Sequence, residues 1–118
     1  KHLVVSVGDE VYLALAKGQL APAHVLILPI AHAECAASVP DAVWGEIERY
    51  KAALVKCFSE ALGMGALLFE RNVHSASGAG GHCHLQVIPL TKDQEERADT
   101  HLRAFAAGRG FPLDPHPA

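Results

Sequence analysis

The stretch HCHLQVIPL, residues 82–90, alternates polar and apolar side chains and predicts a β-strand. Side chains two residues apart share one face of a strand, so His82, His84 and Gln86 point to the same side. The opposite face is apolar and is expected to pack on the long helix predicted below; it carries Cys83, Leu85 and Val87. Because a polar face is costly to bury without hydrogen-bond partners, we predict that the first face lines a cleft or meets a ligand.

A loop of small residues, SASGAGG at 75–81, precedes this strand. Glycines let the backbone approach a ligand closely, and the backbone N–H groups of such a loop can bind an anion. The loop and the polar face together therefore predict a cleft that can bind an anion. The plainer alternative, an ordinary strand with a polar outer face, stays open at this point.

The flanking segments predict an α+β domain with a mainly antiparallel sheet of five strands. Residues 3–16 form two apolar runs around Gly8 and predict a hairpin. The run HVLILPI at 24–30 is apolar on both faces, which indicates a central strand. Pro29 should end or redirect the pairing of that strand, since proline has no N–H to donate. A fourth strand is expected at 66–73, and the stretch 82–90 is the fifth.

Two helices complete the predicted fold. Apolar residues at helical spacing predict a long helix that begins at Pro40 and Asp41, with Asp41 as its cap. This helix should run to about residue 62, where Gly63 stops it. Residues 93–107 predict a second helix, which is polar and more exposed.

Composition bounds the class of protein. The chain has 118 residues, of which 50% are hydrophobic and 19% charged, as is typical of one globular domain. A net charge of −3 argues against an extended nucleic-acid surface but not against a small nucleotide pocket. Three cysteines without a CxxC pair indicate the reduced thiols of an intracellular protein. The longest apolar run, residues 25–31, is too short to span a bilayer, and no signal peptide is expected.

A zinc site is the other chemistry that a His-Cys-His string suggests. On a regular strand, Cys83 points away from His82 and His84, so the three side chains cannot bind one ion together. We expect neither a metal nor a cofactor.

The motifs resemble those of the histidine-triad superfamily. The pattern HxHxQ at 82–86 follows a small-residue loop, and AHVLILP at 23–29 is similar to the upstream strand of that superfamily. Gln86 in place of a third histidine is similar to the galactose-1-phosphate uridylyltransferase branch. The wider sequence resembles the first C-terminal domain of CwfJ-type proteins; the segments concerned are residues 1–18, 24–32, 48–54, 69–74 and 82–90.

This resemblance implies a histidine-triad-like core over residues 1–92, then a C-terminal helix and linker over 93–118 toward a further domain of the parent protein. CwfJ-type proteins are linked to the intron-lariat spliceosome and to lariat debranching. The implied function is a nuclear phosphate- or RNA-binding domain without membrane association. Its implied partners are the splicing and debranching machinery, including the lariat debranching enzyme, and intron-lariat RNA. Two alternatives stay open: an active nucleotide hydrolase or nucleotidyl transferase, and a structural domain with a vestigial pocket.

The resemblance also implies roles for single residues. His84 matches the histidine that attacks the α-phosphorus in active relatives. Neutral imidazole is an effective nucleophile at about pH 7, which is consistent with that role. Gln86 would donate its amide N–H to a phosphate oxygen, His82 would orient the network, and His24 would support it from the neighbouring strand. Further candidates for phosphate contacts are Asn72, His74, Ser77, Gly80 and Gly81. Ala16 stands where nucleotide-hydrolysing relatives carry a ribose-binding Asn or Asp, and that loss would weaken nucleoside selectivity.

Overall fold

An antiparallel sheet lies at the centre of the fold in the computed structural model, which describes residues 3–31, 33, 36–70 and 83–114. Five strands occur within these residues: β1 (Val4–Val7), β2 (Val11–Leu15), β3 (Val25–Pro29), β4 (Gly65–Glu70) and β5 (Leu85–Leu90). Their order in the sheet is β1-β2-β3-β5-β4, and every neighbouring pair is antiparallel. The predicted α+β class with an antiparallel five-stranded sheet is confirmed.

Two helices pack against this sheet. They are α1 (Asp41–Cys57), which continues as a π-helical turn (Phe58–Leu62) and follows a short 3-10 turn (Ala36–Ser38), and α2 (Lys92–Gly108). Gly63 ends the first helix in the left-handed conformation, with φ of 62°, as its position predicts. In the described part of the chain, no helix combines the length and the apolar character needed to cross a membrane.

Strand β3 is central, because it pairs with β2 on one side and with β5 on the other. Pairing with β5 stops at Ile27, whereas pairing with β2 continues to Pro29, which lies opposite Val11. The ladder therefore changes near Pro29, as predicted for a residue without an N–H. The next N–H, that of Ile30, donates to the Glu10 carbonyl over 2.8 Å.

The core lies between the sheet and α1. Its buried side chains come from β2, β3, β5 and the first helix with its π-helical turn: Val11, Leu13, Val25, Ile27, Val43, Ile47, Leu54, Phe58, Leu85 and Val87. Leu85 and Val87 belong to one face of β5, which confirms that this face of the strand packs on a helix. Because side chains alternate along a strand, the residues between them face the other side of the sheet.

One predicted helix cap is wrong. The cap position of α1 is held by Pro40, whose ψ of 159° is extended and whose carbonyl accepts the first helical N–H, from Trp44, over 3.0 Å. Asp41 is instead the first residue of the helix. Its carboxylate stands in the first turn, where a negative charge interacts favourably with the helix dipole.

The predicted strand ends also need correction. Strand β5 begins at Leu85 rather than at residue 82, because the Cys83 N–H donates to the Ala33 carbonyl, over 2.7 Å, instead of joining the ladder with β3. Strand β4 begins one residue early, at Gly65, and is described as far as Glu70. The rest of the predicted fourth strand, residues 71–73, and the loop 75–81 lie outside the described residues.

A buried carboxylate binds the turn between β1 and β2. The sequence pattern predicts the turn but not this contact. Glu46, on α1, is 7% exposed and accepts three backbone N–H groups; these belong to Asp9, Glu10 and Val11, at 3.2, 2.6 and 2.6 Å. A Cβ at Gly8 would lie 2.9 Å from Glu46 Oε2, so a side chain there would displace the carboxylate from its N–H partners. The N–H donors, that of Glu10 foremost, hold the pKa of Glu46 below its ordinary value of 4.5.

Candidate functional site

A cleft of about 320 Å³ lies where the beginnings of β3 and β5 meet the connection between β2 and β3. Three residues singled out in the sequence, His24, His84 and Gln86, line it together. The other lining residues come mainly from the connection; they are Ala16, Lys17, Gly18, Leu20 and Leu26. His84 and Gln86, the described part of the polar face, are thus turned to a concave surface.

Gln86 and His24 are diagonal neighbours across two strands. The register of β3 and β5 places Gln86 opposite Leu26, and His24 precedes Leu26 by two residues on the same face. His24 Nε2 and Gln86 Oε1 are 3.0 Å apart and form a hydrogen bond. The imidazole is buried, with 2% exposure, whereas Gln86 is half-buried at the wall of the cleft. The pair therefore forms the fixed floor of the site.

The second ring nitrogen of His24 is also satisfied. The backbone N–H of Leu20 donates to His24 Nδ1 over 3.1 Å. Sequence reasoning missed this contact, because a backbone donor carries no signature in the residue type. The short Gly- and Pro-containing connection before His24 was the available signal that the chain turns back there.

Hydrogen bonds within the connection between β2 and β3 hold the backbone of His24 in place. The Ala16 N–H donates to the His24 carbonyl over 3.1 Å, and the His24 N–H donates to the Ala21 carbonyl over 3.2 Å. Ala23, immediately before His24, has a φ of 63°, a left-handed conformation that is unusual for alanine. Such a conformation persists only where surrounding contacts enforce it, so the entry into β3 is a fixed turn.

His84 lies two residues before Gln86 and is half-buried in the same cleft. It precedes the first ladder residue of β5, Leu85, so the strand fixes its position from one side only. Its imidazole and the amide of Gln86 are thus neighbouring polar groups on one wall. Imidazole and amide groups can both donate hydrogen bonds to an oxyanion.

The charge of the lining favours an anion. Lys17 contributes a positive charge, and among the described residues that line the cleft none is acidic. Ala16, the position of the expected ribose-binding residue in nucleotide-hydrolysing relatives, lines the wall with 7% exposure and offers only a methyl group. The described wall can therefore hold a phosphate but gives no carboxylate to a ribose diol.

The remaining predicted site residues, His82, Asn72, His74, Ser77, Gly80 and Gly81, lie outside the described residues. The glycine loop as a source of backbone donors therefore stays a prediction. Within the described ranges, no group of three or more His, Cys, Asp or Glu side chains is placed to hold a metal ion. Cys83, the cysteine of the His-Cys-His string, is buried and lies 3.4 Å from Glu70, measured from Sγ to Oε2.

Sequence comparison relates the chain to one family. The model of the family described as "Protein similar to CwfJ C-terminal" matches residues 1–103. CWF19-like protein 1 of Xenopus laevis is 49% identical over 90 residues, which cover 76% of this chain and 16% of that protein. The human CWF19-like protein 1 is 47% identical over 90 residues, with the same coverage. Zinc finger CCCH domain-containing protein 59 of Oryza sativa is 39% identical over 112 residues, or 93% of this chain and 18% of that protein. The chain thus spans less than a fifth of the length of these relatives.

Structure comparison relates the fold to histidine-triad proteins. A histidine triad nucleotide-binding protein from Candida albicans superposes with a TM-score of 0.62 at 20% identity, covering 91% of this chain and 90% of that one. A member of the HIT family from Bacillus subtilis superposes with a TM-score of 0.63 at 15% identity, covering 94% and 89%. At such low identity, the likeness establishes the fold alone.

Proposed function

The chain belongs to the family of proteins similar to the CwfJ C-terminal domain and has a histidine-triad-like fold, and from this premise we propose that it is an oxyanion-binding domain of an RNA-processing factor. The ligand is a phosphate group of RNA, and the setting is turnover of the intron-lariat spliceosome or lariat debranching in the nucleus. The partners in this proposal are intron-lariat RNA and the splicing and debranching machinery, including the lariat debranching enzyme.

One observation carries the proposal: His24, His84 and Gln86 meet in a single cleft that Lys17 also lines. Amide and ammonium groups, and an imidazole N–H, are donors that a phosphate oxygen can accept from. A volume of about 320 Å³ is at the small end of small-molecule sites, which measure about 300–1,000 Å³. This size suits a phosphate with an adjoining sugar better than a whole dinucleotide.

Binding of RNA tests the proposal. The probes are a short RNA with a 2′,5′-linked branch and its linear counterpart, each labelled for fluorescence anisotropy with the 118-residue chain. Removing a hydrogen bond to a charged group weakens binding by about tenfold or more, and we expect that loss for both His84→Ala and Gln86→Leu. His101→Ala, on the exposed side of α2, is the matched control and should leave binding unchanged. Equal affinity of all variants, at unchanged thermal stability, would contradict the proposal.

A second function is supported by the place of His84 in the cleft beside Gln86. Here His84 acts as nucleophile toward a nucleoside phosphoramidate: an imidazole nitrogen bonds to phosphorus, the P–N bond breaks, and the leaving amine takes a proton. Water then cleaves the nucleotidyl-histidine bond and releases the monophosphate. Ala16 argues against tight nucleoside binding, because the methyl group that it places in the wall of the cleft cannot bind a ribose diol.

Turnover of adenosine phosphoramidate distinguishes this second function. An active enzyme loses turnover with His84→Ala and keeps it with His101→Ala. A rate that is indifferent to His84→Ala excludes catalysis by this residue. Absence of both RNA binding and turnover would leave a structural domain.

A further inference from the structure

We propose that the backbone N–H of Leu20, acting through His24, fixes the direction in which Gln86 presents its amide to the cleft. Gln86 thereby becomes an obligate hydrogen-bond donor, and the cleft selects oxyanions over ligands that must themselves donate. His24 is a positioning residue in this arrangement. The inference rests on the proposed function and assigns the polarity of the same site, that is, whether Gln86 donates or accepts hydrogen bonds there.

The first step concerns the tautomer of His24. A backbone N–H can only donate, and that of Leu20 lies 3.1 Å from His24 Nδ1. Nδ1 must therefore present a lone pair. In neutral imidazole one nitrogen carries the proton and the other accepts, so the proton of His24 is on Nε2.

The second step concerns Gln86. His24 Nε2, now a donor, lies 3.0 Å from the side-chain amide of Gln86, and the atom facing it must accept. Only the amide oxygen accepts, which agrees with the placement of Oε1 at that distance. The amide nitrogen, Nε2 of Gln86, is then turned away from His24. Among the described residues it makes no other hydrogen bond, so both of its protons are available at the wall of the cleft.

The third step concerns what keeps Leu20 in place. The connection is closed at His24 by two backbone hydrogen bonds, with Ala16 and Ala21 as partners. The left-handed Ala23 directs the chain into β3 at the same point. A side-chain rotation cannot turn a backbone N–H into an acceptor. The Leu20 N–H therefore fixes the tautomer of His24, and His24 in turn fixes which end of the Gln86 amide faces the cleft.

The tautomer can be measured without any ligand. Long-range ¹H–¹⁵N correlation spectra of the wild-type chain at about pH 8, above the ordinary pKa of histidine, identify which ring nitrogen carries the proton. We expect a single Nε2–H tautomer for His24. A dominant Nδ1–H tautomer, or an even mixture of the two, would overturn the inference.

The polarity is tested with inorganic phosphate as the probe. In Gln86→Glu, a carboxylate accepts from His24 and turns a negatively charged oxygen to the cleft, so phosphate affinity should fall by about tenfold or more. Gln19→Glu adds the same charge on the connection between β2 and β3, at an exposed residue that does not line the cleft. We expect that control to lower affinity by about twofold at most, as for a screened surface charge. Thermal unfolding of both variants establishes that they are folded.

The two proposals fail in different ways. Equal weakening by Gln86→Glu and Gln19→Glu would contradict the assigned polarity, since it would reduce the effect to net charge. A wild-type chain that binds neither phosphate nor RNA, yet holds His24 as the Nε2–H tautomer, would contradict the proposed function and leave the arrangement of His24 and Gln86 intact.

Discussion

Glu46 joins helix α1 to the turn between β1 and β2 by accepting three backbone N–H groups. These donors favour the charged carboxylate, which is why its pKa lies below the ordinary value of 4.5. A group whose pKa is depressed on folding stabilises the folded state above its unfolded pKa and loses that contribution as the pH falls through its folded pKa. Glu46 therefore makes the stability of the hairpin sensitive to acid.

Glu46→Gln tests this role. We expect a lower free energy of unfolding at neutral pH, because a neutral amide accepts the N–H groups less strongly. We also expect a flatter fall of stability below about pH 4.5 than in the wild type. Denaturant unfolding at several pH values measures both effects. Glu48→Gln removes the same charge from an exposed position of the same helix, and an equal pH profile for the two variants would refute the assignment.

Residues differ in how far the local sequence predicts their orientation and contacts. The shared face of His84 and Gln86 follows from alternation along a strand, which is a local rule. The contacts of Glu46 with residues 9–11 span 35 to 37 positions of sequence, and no local pattern encodes them. The same is true of the Leu20 N–H on His24, since any residue type has such a donor.

At the scale of elements, β3 is the buried centre of the sheet, and Ile27 within it has no exposure. Ile27→Ala leaves a cavity beneath α1 and should lower the free energy of unfolding by about 2–5 kcal/mol. Ile30→Ala, at a position 51% exposed just after the same strand, should cost less than about 0.5 kcal/mol. Denaturant unfolding of both variants makes the comparison, and similar losses would contradict the placement of β3 in the core.

Helix α2 depends on its first turn. Thr91 caps it: its hydroxyl accepts the Gln94 N–H over 3.1 Å, and the Gln94 side chain accepts the Thr91 N–H over 3.0 Å. Thr91→Ala should lower the free energy of unfolding by about 1 kcal/mol. Thr100→Ala, at an exposed position inside the same helix, should be neutral or slightly stabilising, because alanine is the better helix former. A loss with Thr100→Ala that matched the first would argue against the cap.

Elements were predictable where their cause is periodic. The helical spacing of Val43, Ile47 and Leu54 predicts α1, and apolar runs predict the strands. Their ends were less predictable, because an end is set by where a hydrogen-bond partner lies. The Ala33 carbonyl takes the Cys83 N–H and delays β5 to Leu85, and no feature near residue 82 reveals that.

At the scale of the whole molecule, a net charge of −3 and the small volume of the proposed phosphate cleft limit how RNA can bind. Affinity for single-stranded RNA falls with salt by a logarithmic slope of about −0.7 for each phosphate neutralised. A cleft that suits one phosphate with an adjoining sugar should engage about one phosphate, so we expect a slope of about −0.7 and no steeper than about −2. Binding of the RNA probes at several salt concentrations measures it. A slope steeper than about −5 would indicate an extended basic surface and contradict the single-cleft proposal.

The sheet itself consists of two parts that meet beside this cleft. The described register joins β2 to β3 over five residue pairs and β4 to β5 over six, but β3 to β5 over only three. His24 stands on one part and Gln86 on the other, so an anion held by both would bridge the three-pair ladder that joins β3 to β5. Occupancy of the cleft should then slow hydrogen exchange in β3 and β5 more than in the β1–β2 hairpin, because β3 and β5 could separate only after the ligand is released.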